Sequence, residues 1–193
     1  MILRIVIICI SVIVCSDSVE KLEIQPSYED SLNQEIQNLL VDINKVPDFS
    51  LYSSDGDLYN MRSLEGKVVL LNFWATWCGP CRAEIPDLNE IKQKYNEDDF
   101  IILGISITDT KNALIDFDEL YAVDYPLLFG SPKELQEIMI GYGNILSVPT
   151  SILVDKKGEM IFSYPGAILK MYDNYDGVYS FLNNKIQEAI SQE

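Results

Sequence analysis

The chain has 193 residues, enough for one domain with an appendage, and 48% are hydrophobic, which supports a sizeable core and excludes a disordered chain. A net charge of −16 excludes a nucleic-acid partner, because phosphate binding needs clustered Lys and Arg. No histidine occurs anywhere, which excludes Ser-His-Asp and Cys-His catalysis and every histidine-ligated metal.

The first sixteen positions, MILRIVIICISVIVCS, carry one cation, Arg4, and then an apolar run from Ile5 to Cys15. That run is shorter than the ~20 residues that cross a bilayer and suits the core of an export signal. Residues 1–16 are therefore expected to be a signal peptide cleaved after Ser16. An uncleaved anchor and a lipid-modified Cys15 are the alternatives. Cleavage removes Cys9 and Cys15 and leaves Cys78 and Cys81 as the cysteines of the mature chain. Export places them outside the cytosol, in the periplasm or at the outer face of a bacterial membrane, where a thiol pair can cycle.

Residues 17–45 read as a polar lead-in followed by an amphipathic helix. Leu32, Ile36, Leu39, Leu40 and Ile43 recur at helical spacing, and Ser27 with Asp30 resembles a capping box after Pro26. Packing on the main domain and docking to a partner are both open to such a stripe.

The main domain is expected over residues 46–193. A short strand, a turn at Asp55-Gly56 and a second strand come first. Val68–Phe73, VVLLNF, reads as a fully buried central strand. A helix is predicted from about Pro80 to Tyr95, with Leu88, Ile91 and Tyr95 on one face. A second buried strand covers Phe100–Ile107. The next helix, Lys111–Tyr121, is expected to turn Leu114, Phe117, Leu120 and Tyr121 inward. YPLLFG reads as an extended connection. Ser131, Pro132 and Glu134 then mark a capped helix start, and Gly141 its end. Residues 150–164 read as a hairpin turning at Lys157-Gly158. A last helix, from about Asn174 to Ser191, is expected to bury Val178, Phe181, Leu182, Ile186 and Ile190. The fold class is α/β, a βαβ core completed by a hairpin and a helix.

The chemistry concentrates in NFWATWCGPCRAE, residues 72–84. Cys78 and Cys81 cannot form a structural zinc site alone, since four ligands are needed. A disulfide across two residues closes too short a loop to stabilise the fold much. A Cys-x-x-Cys pair beside a βαβ pattern points instead to thiol–disulfide exchange. Cys78 falls at a helix start, where free N–H groups and the helix dipole favour the thiolate, so it is the expected nucleophile. Cys81, one turn in, is the expected resolving thiol. Without histidine, the base that could deprotonate it is a carboxylate, and Glu84 stands three residues on. A first-turn Glu placed for the dipole is the competing reading.

FWATWCGPC resembles the thioredoxin superfamily. The longer pattern, from PDFSL through GKVVLLNFWATWCGPCRAEIPDL to VPTSILVDKKGE, resembles its exported TlpA-like branch, which includes the thiol–disulfide oxidoreductases of cytochrome c maturation. The resemblance spans about residues 46–190 and implies a thioredoxin fold, a central mixed β-sheet flanked by helices, here with an extra N-terminal helix. It implies a redox disulfide between Cys78 and Cys81, with Gly79 and Pro80 as the intervening dipeptide and Trp77 beside it. Pro86 matches a helix-kinking proline. Pro149 matches the cis-proline that faces the pair, and Val148 the residue whose backbone pairs with the partner chain. Glu84 matches an acidic position that influences cysteine reactivity. Cytosolic thioredoxins carry a buried Asp where this chain has Asn72, a difference that favours the exported branch.

The leading expectation is an exported enzyme reducing protein disulfides, with no cofactor and no metal. Gly79-Pro80 resembles the dipeptide of reducing thioredoxins, whereas oxidant members carry a histidine there. The resemblance implies protein thiol or disulfide substrates, apocytochrome c among them, and a membrane thiol–disulfide electron donor. A thiol peroxidase on the same fold would need Pro and Thr seven and three residues before its cysteine. Those positions hold Leu71 and Ala75. A non-catalytic binding module is the remaining alternative. The acidity reads first as a solvated surface and second as a means of steering a basic partner.

Overall fold

The computed structural model describes residues 30–36 and 46–192. Residues 30–36 are helical, within the predicted amphipathic helix, and belong to a different compact unit from residues 46–192. The export segment, the Ser27 cap and Leu39, Leu40 and Ile43 lie outside the described residues.

The described strands form one sheet in the order β2-β1-β5-β4-β3-β6-β7. They are β1 (Ser50–Ser53), β2 (Leu58–Asn60), β3 (Val68–Trp74), β4 (Phe100–Ser106), β5 (Leu127–Phe129), β6 (Thr150–Val154) and β7 (Met160–Tyr164). β3 runs parallel to β4, and β4 to β5. The hairpin β6–β7 and the strands β1 and β2 complete a mixed sheet with antiparallel neighbours. Within residues 46–192 the α-helices are α1 (Gly79–Gln93), α2 (Lys111–Tyr121), α3 (Pro132–Gly141), α4 (Asp173–Asp176) and α5 (Val178–Ser191).

All seven residues of β3 are buried, because helices or loops cover both faces of the strand. Its side chains alternate. Val68, Leu70 and Trp74 pack with Ile85, Leu88 and Ile91 of α1, Leu114 and Phe117 of α2, and Leu182 and Ile186 of α5. Val69, Leu71 and Phe73 face the other way, onto Leu135 and Ile138 of α3. Asn72 has the parity of the first set and points toward α1.

The connection YPLLFG holds a strand. Leu127–Phe129 is β5, placed between β1 and β4, and it is short because Pro126 precedes it and Gly130 ends it. At Gly130 an added Cβ would lie 2.8 Å from Leu51 Cδ2, so any larger residue would have to displace that buried side chain of β1. Leu120 and Tyr121 are exposed, against expectation. They sit in the last turn of α2, which ends at Ala122 in the left-handed conformation. The C-terminal helix is broken at Gly177 (φ 66°), so α5 begins at Val178. On it Phe181 is exposed, resting on the ring of Phe162 with centroids 5.5 Å apart, while Tyr179 and Ala189 are buried with Leu182 and Ile186. Ser131 caps α3 with a complete capping box to Glu134.

Candidate active site

The C-terminal ends of β3 and β4 and the N-terminal start of β6 meet at one end of the sheet. Trp77, Cys78 and Pro149 come from the loops there. Cys78 is the N-cap of α1, with φ −78° and ψ 108°, and its Sγ accepts a hydrogen bond from Cys81 N–H at 3.2 Å. That amide is one of the helix-start donors with no partner inside the helix. Pro80 occupies the first turn, where its missing N–H costs nothing. A Cβ at Gly79 would meet nothing within 4 Å, so the backbone between the two cysteines faces open space. A disulfide joins Cys78 to Cys81 (S–S 2.05 Å), and both residues are buried.

Glu84 lies one turn beyond Cys81 and is 0% exposed. Its Oε1 accepts from Asn72 Nδ2 at 2.9 Å, and its Oε2 from the Ile168 N–H at 2.8 Å. Asn72 also donates to Ser151 Oγ at 3.1 Å. Burial pushes the Glu84 carboxyl up to about 7, although the Ile168 and Asn72 hydrogen bonds pull it down; the Asp87 charge adds to the rise. A carboxyl balanced near neutral pH can both take and return a proton. Tyr125 is buried as well. Burial first, and the Glu84 charge second, hold its hydroxyl far above the usual tyrosine range.

The loop carrying Trp77 is fixed from β4 and the turn after it. Asp109 accepts three hydrogen bonds, from Thr76 N–H (2.8 Å), Thr76 Oγ1 (2.7 Å) and Ser106 Oγ (2.7 Å). The Trp77 indole N–H donates to Thr108 Oγ1 at 3.0 Å, leaving the ring 62% exposed. Sequence reasoning did not single out Asp109, Thr108 or Ser151. A signal existed for the last: an Asn inside an apolar buried strand demands buried polar partners.

The Val148–Pro149 peptide bond is cis. Pro149 is buried and Val148 half-buried, and Thr150 Oγ1 closes the turn on Ser147 O at 2.8 Å. Next to this turn a groove of about 470 Å³ is lined by Ile107, Thr108, Met139, Ile140, Ile145 and Leu146. Leu146 is 86% exposed at its rim. The groove is mostly apolar, with Gln136 and Asn144 also in its wall, and it shares Thr108 with the Trp77 indole. Leu71 and Ala75, at the two positions that a thiol peroxidase would need, are both fully buried apolar residues. Among the described residues no cluster of acids and cysteines is placed to hold a metal ion.

A mixed sheet flanked by helices, with a Cys-x-x-Cys pair at the start of the helix after its central strand, defines a thioredoxin-like fold. The sequence profile of the AhpC/TSA family matches residues 43–163, and the chain belongs to that thioredoxin-like family. It is similar to the thiol-disulfide oxidoreductase ResA of Bacillus thuringiensis, 32% identical over 117 residues, which are 61% of this chain and 65% of that relative. The chain thus spans just under two thirds of the relative's length. Among solved structures, a thiol:disulfide interchange protein of the thioredoxin family from Chlorobium tepidum superposes with a TM-score of 0.64 at 27% identity, covering 77% of this chain and 97% of that one. The exposed lipoprotein thioredoxin Etrx1 of Streptococcus pneumoniae superposes with a TM-score of 0.59 at 26% identity, covering 74% and 99%.

Proposed function

We propose that the chain is an exported thiol–disulfide oxidoreductase that reduces protein disulfides through Cys78 and Cys81. The observation that carries the reading is the pair itself: Cys78 caps α1, Cys81 donates its amide to the Cys78 sulfur, and Glu84 is buried one turn behind. In the reduced enzyme the Cys78 thiolate attacks one sulfur of a substrate disulfide. A mixed disulfide forms and the first substrate thiolate leaves. Cys81 gives its proton to Glu84 and attacks Cys78 Sγ; the Cys78–Cys81 disulfide closes and the second substrate thiolate leaves. Two electrons pass to the substrate, and a membrane thiol–disulfide donor outside the cytosol restores the dithiol.

Trp77, the Val148 backbone and Pro149 would receive the substrate chain, and the groove at Ile140 and Leu146 its apolar side chains. Apocytochrome c is the substrate class that the resemblance to the cytochrome-maturation branch favours. Residues 1–16 would direct export, with removal after Ser16, retention as an anchor and lipidation at Cys15 as the three outcomes. Among the described residues no helix is long and apolar enough to cross a membrane.

A Cys81→Ala variant tests the reading. It should hold substrate as a mixed disulfide on Cys78, identified by mass spectrometry; recovery of no Cys78-linked protein counts against it. The potential tests the direction. A value near ~−270 mV supports reduction, and one near ~−120 mV overturns it.

A further inference from the structure

Three acids of α1 stand three residues apart, and each holds the same short segment. Ile168 N–H donates to Glu84 Oε2 at 2.8 Å, Lys170 N–H to Asp87 Oδ2 at 2.9 Å, and Lys170 Nζ to both oxygens of Glu90 at 2.7 Å. That spacing puts the three carboxylates along one side of the helix. Hydrogen bonds from Lys170, then Tyr179 and Lys94, hold the Glu90 carboxyl down at about 2, so this fastening stays charged at any ordinary pH.

The fastened segment carries a projection. A 3-10 turn, Lys170–Tyr172, runs directly into α4, and neither buries a residue. Its large side chains face water instead: Met171 is 71% exposed, Tyr172 48% and Tyr175 88%. In successive helical turns, positions 171, 172 and 175 are neighbours on one face. The projection is braced from behind. Asp173 accepts from Ser180 N–H at 2.8 Å and from Ser180 Oγ, and Asp176 Oδ1 accepts from Val178 N–H at 3.1 Å. An outward group of one Met and two Tyr has the composition of a binding surface rather than of a solvated loop.

Charge selects the occupant. From Lys170 to Asn184 the chain carries Asp173, Asp176 and one cation, Lys170, whose ammonium is held by Glu90, within a protein of net charge −16. A second copy and an anionic lipid surface are both repelled. Tyrosine faces attract cations. The molecule already uses this attraction next door, where Lys94 and Lys170 stand 4.8 and 5.7 Å from the Tyr179 ring centroid.

We infer that the face formed by Met171, Tyr172 and Tyr175 is a docking surface for a cationic, Lys- or Arg-bearing polypeptide, fastened to the redox helix by Glu84, Asp87 and Glu90. That this polypeptide is the protein substrate rests on the oxidoreductase reading; the docking itself does not.

Fluorescence anisotropy tests it on the full chain, with a labelled lysine-rich peptide lacking cysteine and a glutamate-rich counterpart. The lysine peptide should bind, more weakly as salt rises, and the glutamate peptide should not. Tyr172→Ser with Tyr175→Ser should weaken binding about tenfold, and Met171→Ser less. Reduction of the small disulfide dithiobis(nitrobenzoic acid) should be unchanged in these variants. Equal binding by variant and wild type, binding of the glutamate peptide, or equal capture by phosphatidylglycerol vesicles would each overturn the proposal. A wild type that binds the lysine peptide but reduces no disulfide leaves the docking standing and removes the oxidoreductase reading instead.

Discussion

Asn72 on β3 donates its side-chain amide to the Glu84 carboxylate on α1 at 2.9 Å, and both residues are buried. The pair joins the central strand to the helix that carries Cys78 and Cys81. Asn72 is a neutral donor, so Glu84 is the titrating partner of the two.

Glu84→Gln should remove a pH dependence of stability. The folded carboxyl sits at about 7 against a reference of 4.5. Between those values the folded state binds more protons than the unfolded one. The contribution of Glu84 is therefore full below pH 4.5 and lost as pH rises through 7, at most about 3 kcal/mol in all. Glutamine stays neutral throughout. Urea unfolding of both proteins from pH 5 to 8 should show the wild type losing stability relative to the variant as pH rises; parallel curves would refute this. The variant should also close the Cys78–Cys81 disulfide more slowly near neutral pH.

Asn72→Asp should place two carboxyls at hydrogen-bond distance with a single proton between them. Like charges so close cannot both ionise in a buried site, so the pair should titrate in two widely separated steps. The upper step should lie above the titration of Glu84 in the wild type. The pH profile for oxidation of the dithiol reads this directly. A single unshifted step in the variant would mean that position 72 does not govern Glu84.

Much of this arrangement was legible in the residues, and the reasons for the gaps are physical. The central strand, the helix after it and the capped α3 rest on local signals, namely a short apolar run that opens on two β-branched valines, and Ser131 with Pro132 and Glu134. The roles of Cys78 and Cys81 rest on their spacing at a helix start. β5 escaped because three residues after a proline carry too little pattern, and because the neighbours β1 and β4 make it a strand. Leu120 and Tyr121 fit the helical stripe but lie in its last turn, beyond the sheet they were expected to cover. The Asp109 contacts to Thr76 depend on how two loops meet across 33 residues of chain, and no local spacing encodes that.

Asp109→Asn should loosen the loop that presents Trp77. The carboxylate accepts from Thr76 N–H, Thr76 Oγ1 and Ser106 Oγ. An asparagine has one carbonyl oxygen and would turn N–H groups toward one of those donors. Hydrogen bonds to charged groups contribute roughly 1.5–3 kcal/mol each, so a net loss of about 2 kcal/mol is expected after partial rearrangement. Denaturant titration should show the loss, and amide exchange at Thr76 should quicken. Asp109→Glu, which keeps the charge, should recover part of both effects.

Gly104→Ala tests how tightly the site is packed from below. Gly104 lies on β4 opposite Asn72 of β3 and Leu127 of β5. An added Cβ would stand 3.0 Å from Leu127 Cδ2 and 3.1 Å from both Trp74 Nε1 and Tyr125 Cε2. Two effects oppose each other. Alanine restricts the unfolded chain, which favours folding by about 0.4–1 kcal/mol. Overpacking a close-packed core costs about 1–3 kcal/mol, and here two rings and a leucine must all move. The second effect should win, giving a net loss of about 1–2 kcal/mol by the same ranges. The displaced rings include Tyr125, whose neighbour in charge is Glu84, so the titration of Glu84 should shift along with the stability. Urea unfolding with an unchanged slope, paired with the pH profile of dithiol oxidation, measures both. An alanine variant at least as stable as the wild type would show that the space beneath the disulfide is looser than these distances imply.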